Sequence, residues 1–471
     1  VKTPILDKLI KLMDKKLVSF HMPGHKGRNT IINWGELVPQ IDVTELPGLD
    51  NLHDSRGVIK ESLTLAAKTF GAKETLYSVN GTTGGIYIAL AAITNPGDKV
   101  LIQRNSHKSI YNGAILNRLD IDYVYPHYNE KYGLFTGINP ESIEEKLRAN
   151  SDIKVVVITY PNYYGICSHI KRIADIVHKY DRILLVDEAH GSHFIFSEKL
   201  PLPALKAGAD LSVQSIHKTL PSFTQTSMVH VGSNRVNIEK LKSMSSLYQT
   251  TSPSYLFMAS LEIARAYMEG EGRERLEKNI LLIDELICKL KDMKGVYLFT
   301  GDEEDKTIFD KDITKILFRM GNVPGPKISQ ILRKDYNIYL EMEDDRYCLA
   351  LASVMNEERD FHLLGDAIME IADNIMSQEG YIERVPIMPK PEIVLPLYEA
   401  FYRSKRAADL KDAAGKISGT FLIPYPPGIP VLCPGERITI GIIEYIEFLI
   451  EKGIEIIGLI GYNKEKIEVI D

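Results

Sequence analysis

"KVVVITYPNYYGICSHIKRIADIVHKYDRILLVDEAH", residues 154–190, sets two β-branched apolar runs on either side of a helical pattern. KVVVITYP and RILLVDEA read as strands that lack the in–out alternation of a half-exposed sheet. IKRIADIVHKYD between them reads as a helix. Strands apolar on both faces, each followed by a helix, indicate a parallel sheet covered on both sides. The same pattern extends outward from this unit. GVIKESLTLAAKTFG (57–71) is a helix with Ile59, Leu63, Ala66, Ala67 and Phe70 on one face and Gly71 as its stop. ETLYSVN (74–80), KVLIQR (99–104), IDYVYP (121–126) and DLSVQSIH (210–217) are further strands. GGIYIALAAIT (84–94) and a stretch from Ser109 are helices. In such sheets ligands bind beyond the carboxyl ends of the strands. Residues 80–83, 105–107, 160–164, 187–190 and 215–218 all fall there.

The chain has 471 residues, 44% hydrophobic and 25% charged, with a net charge of −7. That length predicts two or three domains, and the dispersed charge gives no nucleic-acid footprint. Cys167, Cys288, Cys348 and Cys433 are far apart and form no CxxC. They read as reduced, buried thiols of a cytoplasmic protein. The start, VKTPILDKLIKLMDKK, lacks the apolar core of a signal peptide. It predicts a short amphipathic helix whose Ile5, Leu6, Leu9, Ile10, Leu12 and Met13 pack on something. ITIGIIEYIEFLIEKGIEIIGLIGY (438–462) is interrupted by Glu444, Glu447, Glu451, Lys452 and Glu455, so no membrane span is expected. It predicts a helix ending near Gly453 and then a short buried strand. After residue 240 helices dominate. Strands are expected near TKILFRM and YCLALAS, and a last helix at DFHLLGDAIMEIADNIMSQ (360–378). The Pro-rich joint ERVPIMPKPEIVLP (383–396) marks a boundary.

Three features at the strand ends could carry chemistry. NGTTGG places backbone N–H groups of Gly81 to Gly84 and the hydroxyls of Thr82 and Thr83 at a helix N-terminus, where an anion binds; a glycine turn with a Thr cap is the plainer alternative. No GxxxxGK[ST] or GxGxxG accompanies it. Asp187 ends a strongly apolar strand, where an ionised carboxylate is expensive without a cationic partner. Asp187 and His190 have no third ligand at metal spacing, so no metal is expected. Lys218, in SVQSIHKTLPS (212–222), is a surface lysine, a phosphate ligand or a nucleophilic amine. An aldehyde cofactor with a phosphate and a basic ring nitrogen needs a lysine, a carboxylate and a phosphate cradle. Lys218, Asp187 and Thr82/Thr83 supply them, Ser215 adds a phosphate contact, and His107 offers a ring to stack. Together they point to pyridoxal phosphate.

FHMPGHKGR, GLDNLH, NGTTGG, RNSHKS, VDEAHGSHF, QSIHKTL, TTSPSY and PYPPGIPVLCPGE occur in the order seen in the bacterial ornithine/lysine/arginine decarboxylases. From residue 3 to about 460 the chain resembles that family of fold-type-I, aspartate-aminotransferase-like enzymes. The resemblance implies that Lys218 forms the Schiff base, Asp187 pairs with the ring nitrogen, and His107 stacks on the ring. Ala189 would lie against the opposite face, with His190 in the cofactor site and His217 beside the lysine. Thr82, Thr83 and Ser215 would hold the phosphate, with Thr251 and Ser252 reaching that of a neighbouring subunit in a homodimer with shared sites. The implied reaction is loss of the α-carboxylate of lysine, arginine or ornithine, giving an amine of polyamine metabolism. Glu436 and Asp50 are the candidates for the substrate's distal cation. The implied division is an N-terminal arm (1–45), a large cofactor-binding domain (46–295), a small α+β domain (296–385) and a C-terminal domain (386–471).

Some features depart from the pattern. Only a short arm precedes FHMPGHKGR, where acid-inducible members carry a regulatory-type domain. YPNYYG stands where many members read Asn-Pro-Thr-Tyr, and Gly419-Thr420 where Ala-Glu is usual. FHMPGHKGR itself, with His21, His25, Lys26 and Arg28, reads as a metal or phosphate loop or, by resemblance, as a shaper of the site entrance. The rival chemistries are an aminotransferase, with Arg346 as carboxylate clamp, a C–S lyase, and a catalytically silent cofactor-binding homologue.

Overall fold

The structure, a computed structural model, describes residues 3–28, 31–375, 388–425 and 428–470. Its centre is a seven-stranded sheet of β1 (Glu74–Ser78), β2 (Lys99–Gln103), β3 (Asp120–Val124), β4 (Ile153–Thr159), β5 (Ile183–Asp187), β6 (Leu211–Gln214) and β7 (Ser227–Val231). The order is β1-β7-β6-β5-β4-β2-β3. Every neighbouring pair is parallel except those of β7, which runs antiparallel to both β1 and β6. The α/β reading with a mostly parallel sheet therefore holds, but β7 is absent from the strands read above. Its SMVHV is short and follows Lys218 without a helical pattern between them.

The helices α1 (Val58–Phe70), α2 (Gly81–Ile93), α3 (Lys108–Leu116), α4 (Pro140–Ala149) and α5 (Ile170–Lys179) flank the sheet. Val156 and Ile158 of β4 join one buried cluster with Ile173 and Val177, while Val155 and Val157 join another with Ile86 and Ile88. Both faces of β4 are thus covered, which is why its sequence is apolar without alternation. Helix α2 rests closely on the sheet: a Cβ at Gly85 would lie 2.7 Å from Val213 Cγ1.

A second, antiparallel sheet is built from β8 (Val296–Phe299), β9 (Lys315–Met320), β10 (Met342–Glu343) and β11 (Cys348–Leu351), in the order β8-β9-β11-β10. Helix Glu358–Ile375 contributes Phe361, Leu364 and Ile368 to its core. The arm is tied to this region by Val18–Phe20, which pairs in parallel with Ile338–Leu340. The tail has its own core around Ile442, Ile446, Ile467 and Val469.

Several expectations need correction. Strand β6 ends at Gln214, and the chain turns into a four-residue helix, α6 (Ile216–Thr219), so Lys218 stands on a helical turn. The N-terminal helix Pro4–Met13 forms, yet none of its residues is buried. Cys288 is exposed, unlike the other three thiols. The tail helix spans Ile440–Glu451 and the strand after it, Glu455–Ile457, buries only Ile456. Residues 376–378 of the last small-region helix, 383–387 of the Pro-rich joint, and Pro426 and Pro427 lie outside the described residues. Among the described residues no helix is long and apolar enough to cross a membrane.

Replacing Gly85 by Val should overpack the α2–β6 contact and lower stability by about 1–3 kcal/mol. A urea midpoint below that of the unaltered protein checks this; an unchanged midpoint would contradict the close approach.

Candidate active site

The edge formed by the carboxyl ends of β4, β5 and β6 gathers the chemistry. Asp187 is the last residue of β5 and is 3% exposed. The Ala189 N–H donates to its Oδ1 at 3.2 Å. Burial pushes the Asp187 carboxyl up, against the pull of the Lys218 charge. Lys218 shows the mirror image. Desolvation lowers its amine, and the carboxylates of Asp187 and Glu341 work the other way. Lys218 Nζ stands 3.0 Å from His190 Nε2. An ammonium there donates to Nε2, which leaves His190 neutral with its proton on Nδ1. That agrees with the downward push on His190 from burial and from Lys218. Its Nδ1 is buried without a partner among the described residues. Tyr163 meets the His190 ring edge-on, 4.9 Å between centroids.

His107 caps α3, its Nδ1 accepting from the Ser109 N–H at 3.2 Å and bonding the Ser109 hydroxyl at 2.9 Å. The residue is exposed in this chain, and desolvation of its ring together with the charges of Lys218 and Lys108 lowers it to about 4. The tail loop comes close: a Cβ on Gly428 would be 3.5 Å from His107 Nε2. His217 bonds the Thr226 carbonyl through Nδ1 at 2.8 Å, and burial above all lowers it to about 4.

A hydroxyl cluster lies at the start of α2. Thr82 Oγ1 bonds Ser215 Oγ and, at 3.1 Å, Ser227 Oγ. Ser227 in turn donates to the Gln214 carbonyl at 2.7 Å. Gly81 opens the helix at φ +70°, its N–H bonded to the Gln225 carbonyl at 2.9 Å. The first N–H groups of a helix have no intrahelical acceptor. Thr83 is exposed. Thr251 and Ser252 are exposed too, on the loop before helix Tyr255–Glu269, and among the described residues no hydrogen bond joins them to the Thr82 cluster.

FHMPGHKGR is wound around the lysine's turn. Gly24 N–H donates to the His217 carbonyl at 2.7 Å, and Ser353 donates to the Gly24 carbonyl at 2.6 Å. A Cβ at Gly24 would collide with the Leu220 carbonyl at 2.4 Å. Lys26, 8% exposed, donates to the carbonyls of His21 and Leu351. Arg28 Nη2 donates to both carboxylate oxygens of Asp360, at 3.0 and 2.8 Å. The motif braces the site from behind, and its cations are spent on protein acceptors.

Both acids read as candidates for a substrate cation are engaged elsewhere. Glu436, 1% exposed, accepts from Arg104 at 3.1 Å, from the Tyr123 hydroxyl at 2.9 Å and from the Cys433 N–H at 2.7 Å. Asp50 accepts the N–H groups of Asn51, Arg56, Gly57, Ile59 and Lys60 and so caps α1. Arg346 lies against Gly133, near Asp345. Two residues at the site had no signal in the sequence. Ser227 belongs to the unread strand β7. Glu341 sits in an acidic run, LEMEDD, that matches no motif. Its Oε1 accepts from the Tyr163 hydroxyl at 3.0 Å and its Oε2 from the Met22 N–H at 2.8 Å.

The family model described as Orn/Lys/Arg decarboxylase, major domain, matches residues 3–311, and that of the C-terminal domain matches 390–459. The chain belongs to this family. It is 34% identical over 468 residues to an arginine decarboxylase of Bacillus subtilis, covering 97% of this chain and 95% of that protein. It is 35% identical to an arginine decarboxylase of Halalkalibacterium halodurans, covering 94% and 93%. The lysine decarboxylase LdcF of Francisella novicida superposes with a TM-score of 0.78 at 22% identity, over 96% of this chain and 79% of that one. The fold of this family member is accordingly fold-type-I, as the motifs implied.

Partial desolvation raises the Asp50 carboxyl, but the bonds from Arg56, Asn51, Gly57 and Lys60 outweigh it and hold it at about 2. A carboxyl depressed by folding stabilises above its unfolded pKa of about 4 and loses that contribution as pH falls through the folded value. Wild type should therefore exceed Asp50→Asn in stability by a constant margin from neutral pH to about 4.5, shrinking toward pH 2. Denaturant midpoints across that range check it.

Proposed function

We propose that this protein is a pyridoxal-phosphate-dependent decarboxylase of a basic amino acid, lysine, arginine or ornithine, releasing CO2 and an amine of polyamine metabolism. One observation carries the reading: Lys218, bonded to His190 at 3.0 Å and within the field of buried Asp187, occupies the ligand-binding edge of the sheet. The residues fit the cofactor. Among the described residues the Asp187 carboxylate accepts a hydrogen bond only from the neutral Ala189 N–H, and a carboxylate so buried is costly without a cation. A protonated pyridine nitrogen supplies that cation. The hydroxyls of Thr82 and Ser215, at the start of α2 beside Gly81, Thr83 and Gly84, offer a phosphate its donors.

When bound, pyridoxal phosphate supplies an electron sink for the pair released as a bond at Cα breaks. The chain's own groups then have distinct tasks. Asp187 would hold the proton on the ring nitrogen. His107, whose imidazole is pushed toward the neutral form, would cover one face of the ring without placing a charge there, and Ala189 would line the other. Lys218 would hold the cofactor through its Nζ and yield that place to the substrate amine. Its Nζ would then be available to return a proton to Cα, with His190 Nε2 as its hydrogen-bond partner and His217 beside it in sequence. Burial lowers the Lys218 amine, which makes it a readier proton donor than a solvated lysine.

The exposure of Thr83, Thr251 and Ser252 supports a homodimer in which Thr251 and Ser252 serve the neighbour's phosphate. We assign an arm to residue 45, a large domain to 295, a small domain to 385 and a C-terminal domain; the separate cores support distinct large, small and C-terminal units, while Phe20, Leu282, Ile283, Leu286 and Leu290 pack in the small unit's core. A cytoplasmic setting accords with the buried thiols of Cys167, Cys348 and Cys433.

The test is CO2 release from lysine, arginine and ornithine by purified protein loaded with pyridoxal phosphate. Turnover of at least one is expected, and none with all three would overturn the assignment. Lys218→Ala should lose the visible absorption of the lysine-linked cofactor together with turnover. Persistence of that band would move the attachment to another residue.

A further inference from the structure

Resting on the reading just given, we propose that Glu341 is the carboxylate that receives the distal cation of the substrate and so determines specificity for a basic side chain. An enzyme of this class needs an acid within a side chain's length of the lysine it displaces. Glu436 and Asp50, the acids legible in the sequence, are saturated by protein donors. Glu341 reaches the lysine through a short chain of contacts: it accepts from the Tyr163 hydroxyl at 3.0 Å, the Tyr163 ring meets His190 edge-on at 4.9 Å, and His190 bonds Lys218 Nζ at 3.0 Å. Asp187 and Glu341 are the carboxylates whose fields favour the charged lysine. Asp187 lies beneath, assigned to the ring nitrogen. That leaves Glu341.

Its surroundings suit the role. Glu341 follows the strand Ile338–Leu340 and is half-buried, between the arm at Met22 and the loop at Tyr163. Among the described residues each carboxylate oxygen accepts one bond, from a neutral donor, so a lone pair on each is left for a ligand. The two buried lysines nearby are turned away to carbonyls. Lys26 bonds His21 and Leu351, and Lys315 bonds Tyr163 at 2.7 Å. Burial lowers both to about 7, so they offset the Glu341 charge only in part. His217 and His21 also feel Glu341 and are pushed down by burial toward the neutral form.

The chemistry of the substrate fixes which end goes there. The α-amine takes the place of Lys218 Nζ, and the α-carboxylate is repelled by a like charge. The distal ammonium or guanidinium is the one group that a carboxylate on this side attracts. A charge-assisted bond of this kind contributes about 1.5–3 kcal/mol, roughly 10- to 100-fold in affinity.

The experiment compares wild type with Glu341→Gln on the preferred basic amino acid and its uncharged counterpart (citrulline for arginine, norleucine for lysine, norvaline for ornithine). Inhibition by the product amine is measured alongside. The expected result is a KM for the basic amino acid raised roughly 10- to 100-fold and product inhibition weakened in parallel, with the uncharged analogue little affected and the cofactor spectrum unchanged. Discrimination retained at the wild-type level would overturn the proposal. So would a fall in kcat with KM and product inhibition unaltered, which marks a role confined to Lys218. Should Glu341→Gln fail to fold, Glu341→Asp retracts the charge by one methylene. A raised KM for the basic amino acid alone supports the proposal, and an unaltered ratio overturns it. A wild type inactive on every basic amino acid would instead sink the decarboxylase reading, a separate outcome.

Discussion

Everything at the sheet edge depends on two groups that burial disfavours in opposite senses, the Asp187 carboxylate and the Lys218 amine. Each is taken from water, each is pushed toward its neutral form, and each lessens the other's cost through its field. They are not in direct contact as an ion pair. The Lys218 amine is held by a neutral imidazole and the Asp187 carboxylate by a backbone N–H. A direct pair would satisfy both and leave little drive to bind anything else. Kept apart, each retains a demand that a cationic ring nitrogen and an aldehyde carbon meet. The sheet enforces the separation: β5 and β6 are hydrogen-bonded neighbours, and α6 lifts Lys218 one turn beyond the end of β6.

A strained or mobile α6 would waste that arrangement, and the arm is what braces it. The Gly24 N–H takes the carbonyl of His217, immediately before the lysine, and Gly24 passes the connection to Ser353 beyond β11. Only a residue without a side chain fits against Leu220. Arg28 then fastens the arm to Asp360 on the last small-region helix, through a largely buried ion pair. Breaking such a pair by removing one partner typically costs about 3–5 kcal/mol. The arm therefore links the lysine's turn to the small region, and Glu341 enters the site from that same region.

Legibility in the sequence followed the range over which each feature is determined. The βαβ units were readable because burial on both faces of β4 and β5 leaves a local, continuous apolar signature. Asp187, Thr82 and Ser215 were readable because strand ends in a parallel sheet share one edge whatever the details of packing. Strand β7 was missed because an antiparallel insertion has no helix to announce it. The end of β6 was overrun by three residues because Ile216 is apolar and buried whether the backbone is extended or helical. Glu341 had no sequence signal at all. Its partners, Met22 and Tyr163, lie 319 and 178 residues away, and nothing within LEMEDD distinguishes it from its acidic neighbours.

Glu436 shows how a buried acid that reads as a ligand can be engaged by the protein itself. A carboxylate in a Pro/Gly-rich loop close to the site suggests a ligand, but its charge is matched within the protein. Arg104 sits at 1% exposure and donates to the carbonyls of Pro430 and Val431 as well as to Glu436. The tail loop is thereby docked on the residue after β2, three residues before His107, and Gly428 is brought against the imidazole. Two full charges in a space without water must neutralise each other, since the Arg104 guanidinium cannot shed its proton. An acid committed in this way cannot also receive a substrate's cation without stranding the arginine. The protein therefore needs separate carboxylates for separate duties: Glu436 to seat the tail, Asp360 to hold the arm, Asp50 to cap a helix. An acid available to a ligand has to be one, like Glu341, whose partners are all neutral.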